Sequence, residues 1–376
     1  MSNKKLIVLG VVAVGMLIWA VIQSRVSNRG MFTTGKPTYL VQGLDTADID
    51  SIILGKSDDA VAMKRQGSGF MVVDKENYPA KTSQINDLIT KCLEIERSQF
   101  ITDKAANHED LEVTEEKART VVKFLKPDST LLTGIIVGKT KELGQGSYVR
   151  LASDDKVYVA QSVPMFGSGA MSFIEQQLIS VKREDIESVT ASSPNSKYVL
   201  KAKENSRDIV LENIPAGKKF KSTEGQNVFN ALTNLSFNDV KRSSDDMSFE
   251  KRYVCRLKDS TEYTIDIAAK DDKTYIACSA KFTEERPTTI RKDESEEELK
   301  AKEAKLLADD KAKVFTAKHQ RWIYEIADYQ AKNLTTELLD LIEDQEESEE
   351  KDQPADPNEI MSSESTIPET IQSTQE

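Results

Sequence analysis

The sequence predicts an α+β fold: two tandem homologous units, each an antiparallel sheet with packed helices, after one N-terminal transmembrane helix. Three observations point there. First, one strand–turn–strand pattern occurs twice. Leu125-Lys126-Pro127-Asp128-Ser129-Thr130 leads into Ile135-Ile136-Val137-Gly138-Lys139, and Leu257-Lys258-Asp259-Ser260-Thr261 leads through Ile265-Asp266-Ile267 to Lys270. Asp, Ser, Thr, an Ile and a closing Lys recur in order, and the copies differ by one extra turn residue, Pro127. Second, apolar residues alternate with period two at Val61 and Met63, and again at Tyr198, Leu200 and Ala202, as strands require. Third, Ile85, Leu88, Ile89, Cys92 and Leu93 share one helical face, matched later by Val228, Ala231, Leu232 and Leu235. A repeat is read first because it sets the topology of everything else.

The chain opens with Lys4 and Lys5, then a charge-free run, LIVLGVVAVGMLIWAVI, that begins at Leu6 and ends at Ile22. That is near the lower limit for crossing a hydrocarbon core. A cleaved signal would end on small residues, whereas Val21, Ile22 and Gln23 are bulky. Residues 1–23 are therefore expected to stay as a membrane anchor, with the bulk of the chain extracytoplasmic. A polar linker follows over residues 24–44.

The first unit is expected over residues 45–182 and the second over 183–342. Asp48-Ile49-Asp50-Ser51-Ile52 opens one, and Asp185-Ile186-Glu187-Ser188-Val189 opens the other. Phe70-Met71-Val72-Val73 returns, as Ile209-Val210-Leu211 does later. Tyr78-Pro79-Ala80 and Ile214-Pro215-Ala216 read as turns before each helix, with Ser83 as a cap of the first. A polar crossing leads from each helix to the repeated strand pair. Tyr148-Val149-Arg150-Leu151, Val157-Tyr158-Val159-Ala160 and a short helix over residues 172–179 complete the first unit. Tyr275-Ile276-Ala277-Cys278, Trp322-Ile323-Tyr324-Glu325-Ile326 and a helix over about residues 334–342 complete the second.

Residues 283–318 are an insertion unique to the second unit. Ser295 and Glu298 make a capping box and Glu296 and Lys300 an i, i+4 pair, which predicts an exposed helix, either a solvated arm or a partner-docking one. The tail, residues 343–376, is acidic and too polar to fold alone.

A net charge of −12 excludes the usual nucleic-acid surface of clustered Lys and Arg. Cys92, Cys255 and Cys278 are too few and too odd for a disulfide framework. The strand around Tyr263 should separate Cys255 from Cys278 by two strand spacings, about 9.6 Å, beyond disulfide reach. His108 and His319 are the only histidines, both in polar stretches, which argues against a zinc site. Gly134-Ile135-Ile136-Val137-Gly138-Lys139-Thr140 has three residues between its glycines where a phosphate-binding loop needs four. Gly167-Ser168-Gly169 lacks the nucleophile elbow's spacing. Asp154-Asp155 and Asp271-Asp272 sit in turns, as solvated hairpin tips do. No catalytic, cofactor-binding or metal residue is nominated.

Phe70 to Lys75 running into Tyr78-Pro79-Ala80, the helix at Ile85 to Leu93, Ile135-Ile136-Val137-Gly138-Lys139, and Tyr148-Val149-Arg150-Leu151 before Val157-Tyr158-Val159 together resemble the DUF4340 family. The resemblance spans most of residues 45–342. It implies a membrane-anchored bacterial envelope protein without assigned chemistry. It also implies, through some relatives, a link to auxiliary parts of gliding-motility-type ABC transport systems. The expected function is a non-catalytic, membrane-anchored periplasmic scaffold or accessory subunit with a membrane-complex protein as partner. The alternative is a periplasmic module that binds a ligand in the cleft between the two units. An enzyme is the third reading.

Overall fold

The structure is a computed structural model that describes residues 38–142, 144–204, 206–244, 247–285 and 295–345. The run from Leu6 to Ile22, linker residues 24–37 and the tail beyond Gln345 lie outside the described residues. Among those described, no helix is long and apolar enough to cross a membrane. The fold is mixed α+β with antiparallel sheets, and the chain divides into two compact units, Met1–Ile174 and Glu175–Glu376.

The first unit holds β1 (Ser51–Leu54), β2 (Val61–Gln66), β3 (Gly69–Val72), β4 (Tyr78–Pro79), α1 (Thr82–Leu93) and β5 (Arg97–Thr102). Then come β6 (Thr120–Leu125), β7 (Leu131–Thr140), β8 (Ser147–Leu151) and β9 (Val157–Ala160). These strands make one sheet in the order β4-β3-β2-β1-β6-β7-β8-β9-β5. In β7 the residues from Thr133 to Gly138 are buried without a break, so both faces of the strand are covered. Val113 and Ala118, from the segment before β6, pack with Val121, Ile136 and Val157. That segment explains Gly138: a Cβ there would stand 2.3 Å from the Leu111 carbonyl oxygen. Both glycines of the loop-like Gly134–Gly138 stretch thus belong to a packed strand. α1 turns Ile85, Leu88, Ile89 and Cys92 inward, as its periodicity requires.

Five local expectations are corrected here. α1 starts at Thr82 with Lys81 at the cap, so Ser83 is inside the helix. Tyr78–Pro79 is a short edge strand on β3, where Pro is tolerated because the outer side needs no donor. The polar crossing after α1 is the edge strand β5, bound to β9. The helix expected over residues 172–179 is a single 3-10 turn, Ala170–Phe173, followed by the strand Gln177–Ile179. Leu40 and Val41, within the stretch read as linker, are buried, and the Leu40 N–H donates to the Ile95 carbonyl.

The second unit begins with that strand, β10 (Gln177–Ile179), then β11 (Ile186–Ser192), β12 (Lys197–Ala202), β13 (Ile209–Leu211), β14 (Lys218–Phe220) and α2 (Ser222–Phe229). β15 (Leu235–Ser236), β16 (Asp239–Arg242), β17 (Lys251–Leu257), β18 (Thr261–Lys270) and β19 (Lys273–Phe282) follow. α3 (Glu296–His319), β20 (Trp322–Ile326), α4 (Asp328–Thr335) and β21 (Ile342–Asp344) complete it. The main sheet runs β13-β12-β11-β17-β18-β19-β20-β16, with β10-β15 and β14-β21 as small pairs. Read from β3 to β5 in one sheet and from β13 to β16 in the other, the strands neighbour each other in the same chain order. The closing helix lies earlier than expected: α4 ends at Thr335 and a 3-10 turn, Leu338–Leu341, leads into β21.

α3 forms with the expected capping box between Ser295 and Glu298, and Lys300 pairs with Glu296 at 2.6 Å. It is not an exposed arm throughout. Its C-terminal half buries Ala308, Asp309, Ala312 and His319. β20 pairs with β19 only at Thr274, Tyr275 and Ile276, and α3 covers β19 beyond that point. Thr316 Oγ1 accepts the Ala280 N–H at 2.8 Å and donates to the Ala280 carbonyl at 2.7 Å, as a neighbouring strand would. Phe315 meets Tyr263 edge-on, with ring centroids 5.2 Å apart. An open strand edge is an aggregation hazard, and a covering helix removes it.

β18 separates the two later cysteines, with Tyr263 opposite Cys255 and Ile265 opposite Cys278. All three cysteines are free and buried. Burial pushes the Cys92 and Cys255 thiols up to about 12 and raises Cys278 as well, so they are inert core thiols.

Candidate functional site

Both sheets carry a concavity at the same place in their topology: beside the first strand, under the first hairpin, against the helix. In the first unit it measures about 240 Å³ and its lining includes Thr46, Arg65, Phe70, Ile85 and Asn86. A 3-10 turn, Thr46–Asp48, carries one wall, because the Asp45 carboxylate receives the Ala47 N–H and holds the turn in place. Arg65 is fully occupied there. Its Nε donates to the Ile49 carbonyl at 2.6 Å, a second nitrogen donates to the Thr46 carbonyl at 3.0 Å, and its plane lies 4.7 Å over the Phe70 ring.

In the second unit the concavity is open and far larger, about 1410 Å³. One wall is the 3-10 turn Arg183–Asp185 that leads into β11. The tip of the β12–β13 hairpin supplies Lys203, Glu204 and Arg207, and α2 supplies Gln226 and Asn230. Lys258, from the turn between β17 and β18, closes the rim. α2 comes close to β14 because residue 225 is Gly: a Cβ there would lie 2.2 Å from the Phe220 ring.

Arg183 organises this wall. Its guanidinium carbon lies 4.2 Å over the Phe229 ring, and one of its nitrogens donates to the Arg207 carbonyl at 3.1 Å. Gln226 donates to the same carbonyl at 3.0 Å, so the hairpin tip is pinned to helix and turn together. Burial, and then the neighbouring Arg207 charge, hold the Arg183 pKa below the usual guanidinium value. The Asn230 Oδ1 is buried in this wall without a hydrogen-bond partner. Such an arrangement offers charge and fork-shaped donors to an anionic group.

The residues weighed in the sequence lie elsewhere. His108 is buried, and its Nε2 is 2.9 Å from the Asp155 carbonyl. His319 is buried on the inner side of α3, its Nδ1 2.6 Å from the Tyr324 hydroxyl, and burial lowers its pKa to about 4. Both lie in polar stretches of the sequence, and both are buried. Ser129 and Ser260 lie in turns. Arg150, read only as part of a strand, donates to the carbonyls of Val113 at 2.7 Å and Leu151 at 3.0 Å and so ties the segment before β6 to β8. Among the described residues, no group of three or more His, Cys, Asp or Glu could hold a metal ion.

The sequence reading placed several of these residues, among them Phe70, Ile85, Ile186 and Lys258, on strands, a helix or a turn and gave none of them a binding role. Arg183 and Arg207 are far apart in sequence, and one Lys or Arg in a turn is ordinary. The available signal was position: Arg183 stands two residues before Asp185, where the second unit opens.

Residues 71–253 match the family model described as a domain of unknown function, DUF4340. Over those residues the chain belongs to the DUF4340 family. The match begins inside β3 and ends inside β17, so it takes in α1, most of the first sheet and the concavity wall from Arg183 to Asn230. No curated protein and no solved structure matches the chain.

Proposed function

We propose that this DUF4340 protein is a non-catalytic scaffold or accessory subunit. The run from Leu6 to Ile22 holds it at a membrane, and the two sheets stand on the extracytoplasmic side beside a membrane-complex protein. The observation that carries this reading is how its reactive side chains are used. His108 and His319 are committed to bonds inside the core, and the thiols are buried. Catalytic groups stand in clefts within reach of a substrate. The concavity of the second unit instead has a charged, open wall suited to binding.

We also read the two sheets as copies of one unit. The shared strand order and the recurrence of the concavity beside the first hairpin support a duplication. In that account the second copy gained α3 between β19 and β20, where the first has only a short turn between β8 and β9.

The test removes three of the weighed groups, chosen to spare the fold. A full-length chain with His108→Gln, Ser129→Gly and Ser260→Gly is expected to restore a deletion strain fully. Loss of complementation at normal abundance and unchanged thermal midpoint contradicts the non-catalytic reading.

A further inference from the structure

We propose that the concavity of the second unit is the docking site of this chain's own acidic segment, residues 346–376. Four cations of the wall, Arg183, Lys203, Arg207 and Lys258, make no ion pair among the described residues. The fifth, Lys201, is held by Glu212 at 2.6 Å, and Glu187 by Arg256 at 3.2 Å. Glu184 and Glu204 are the remaining acids of the wall, which leaves an excess of positive charge.

The occupant is argued from charge and connection. Residues 346–376 hold ten Asp and Glu against one Lys, most of the net charge of −12. The segment leaves the fold beside β14. β21 pairs with β14, and the Gln345 N–H donates to the Gly217 carbonyl at 3.1 Å. β14 runs directly into α2, whose last turn and cap, Gln226 and Asn230, line the concavity. A helix of this length is about 12 Å long, and ten extended residues reach about 33 Å. Residues 346–355 alone carry five of the acids. The covalent tether gives an effective concentration of about a millimolar, so weak contacts suffice.

The test is zero-length carboxylate-to-amine coupling of the full-length chain in detergent, with the monomer fraction mapped by mass spectrometry. Links from residues 346–359 to Lys203 and Lys258 are expected to exceed those to control lysines such as Lys91 by about tenfold, and to fall severalfold when salt is raised to about 0.5 M. The variant Arg183→Glu with Arg207→Glu is expected to abolish the preference. Exposed Arg207→Glu alone, which leaves the Phe229 contact intact, is expected to weaken it. Links spread evenly over surface lysines, links found only between chains, or a preference unchanged by both variants would overturn the proposal.

Discussion

Ser129 and Ser260 share one left-handed backbone conformation, with φ of +64° and +67°. Each follows an aspartate whose carboxylate receives the N–H of the next threonine, at 3.0 Å from Thr130 to Asp128 and 2.9 Å from Thr261 to Asp259. The Asp closes the turn and the Ser accepts a conformation that a small residue tolerates. The sequence pattern that occurs twice is therefore a turn with a physical requirement at each position.

That requirement can be measured. A β-branched residue is strained at positive φ, so Ser129→Val is expected to cost about 1–2 kcal/mol, while Ser129→Gly leaves stability within a few tenths. Denaturant midpoints of the two variants decide it, and equal midpoints would refute the turn account.

Thr316 supplies the second prediction. Thr316→Val keeps the shape but removes both bonds to Ala280 and leaves a backbone N–H and C=O without partners. The expected loss is about 1–3 kcal/mol, with faster amide exchange at Ala280 and its neighbours in β19. Unchanged exchange there would show that α3 does not protect the strand edge.

Arg150 gives a third. Its donors meet the Val113 and Leu151 carbonyls, and Lys has neither the planar fork nor the reach to replace both. Arg150→Lys is expected to cost roughly 1.5–3 kcal/mol, visible as a lower denaturant midpoint. Proteolysis within residues 105–118 should rise at the same time; protection of that segment in the variant would contradict the clamp.

His319 makes stability depend on pH. Its folded pKa lies at about 4, below the ordinary value of 6.5, because burial and then Lys318 disfavour the charged form. The unfolded chain binds the proton first, so stability falls as pH drops from about 6.5 towards 4 and is flat for this group above 6.5. His319→Phe is expected to remove that part of the slope. The comparison is a set of denaturation curves between pH 4 and 7 for both proteins; identical slopes would exclude His319 as the source.

Where burial follows a simple period, the sequence was legible. Ile52, Met63, Leu200 and the inner face of α1 are buried where alternation or helical spacing put them. The separation of Cys255 from Cys278 followed from strand spacing alone. β5 was illegible because Arg97-Ser98-Gln99-Phe100 is an edge strand with its side chains largely in solvent, so no alternation marks it. α3 reads as a solvated helix because its contacts use Ala308, Ala312 and Thr316, small residues that carry little hydrophobic signal. The concavity was hidden for another reason: its wall joins a turn, a hairpin tip and a helix end that only the tertiary fold brings together.

The central claim is that the chain works as a tethered partner of a membrane protein. The direct measurement is the native mass of the full-length chain extracted from its own membranes in mild detergent. The account predicts a particle in which the intact chain, with Leu6 to Ile22 retained, is present in fixed ratio with an integral membrane protein. A chain recovered only as a lone monomer, or released without detergent and starting near residue 24, would contradict it.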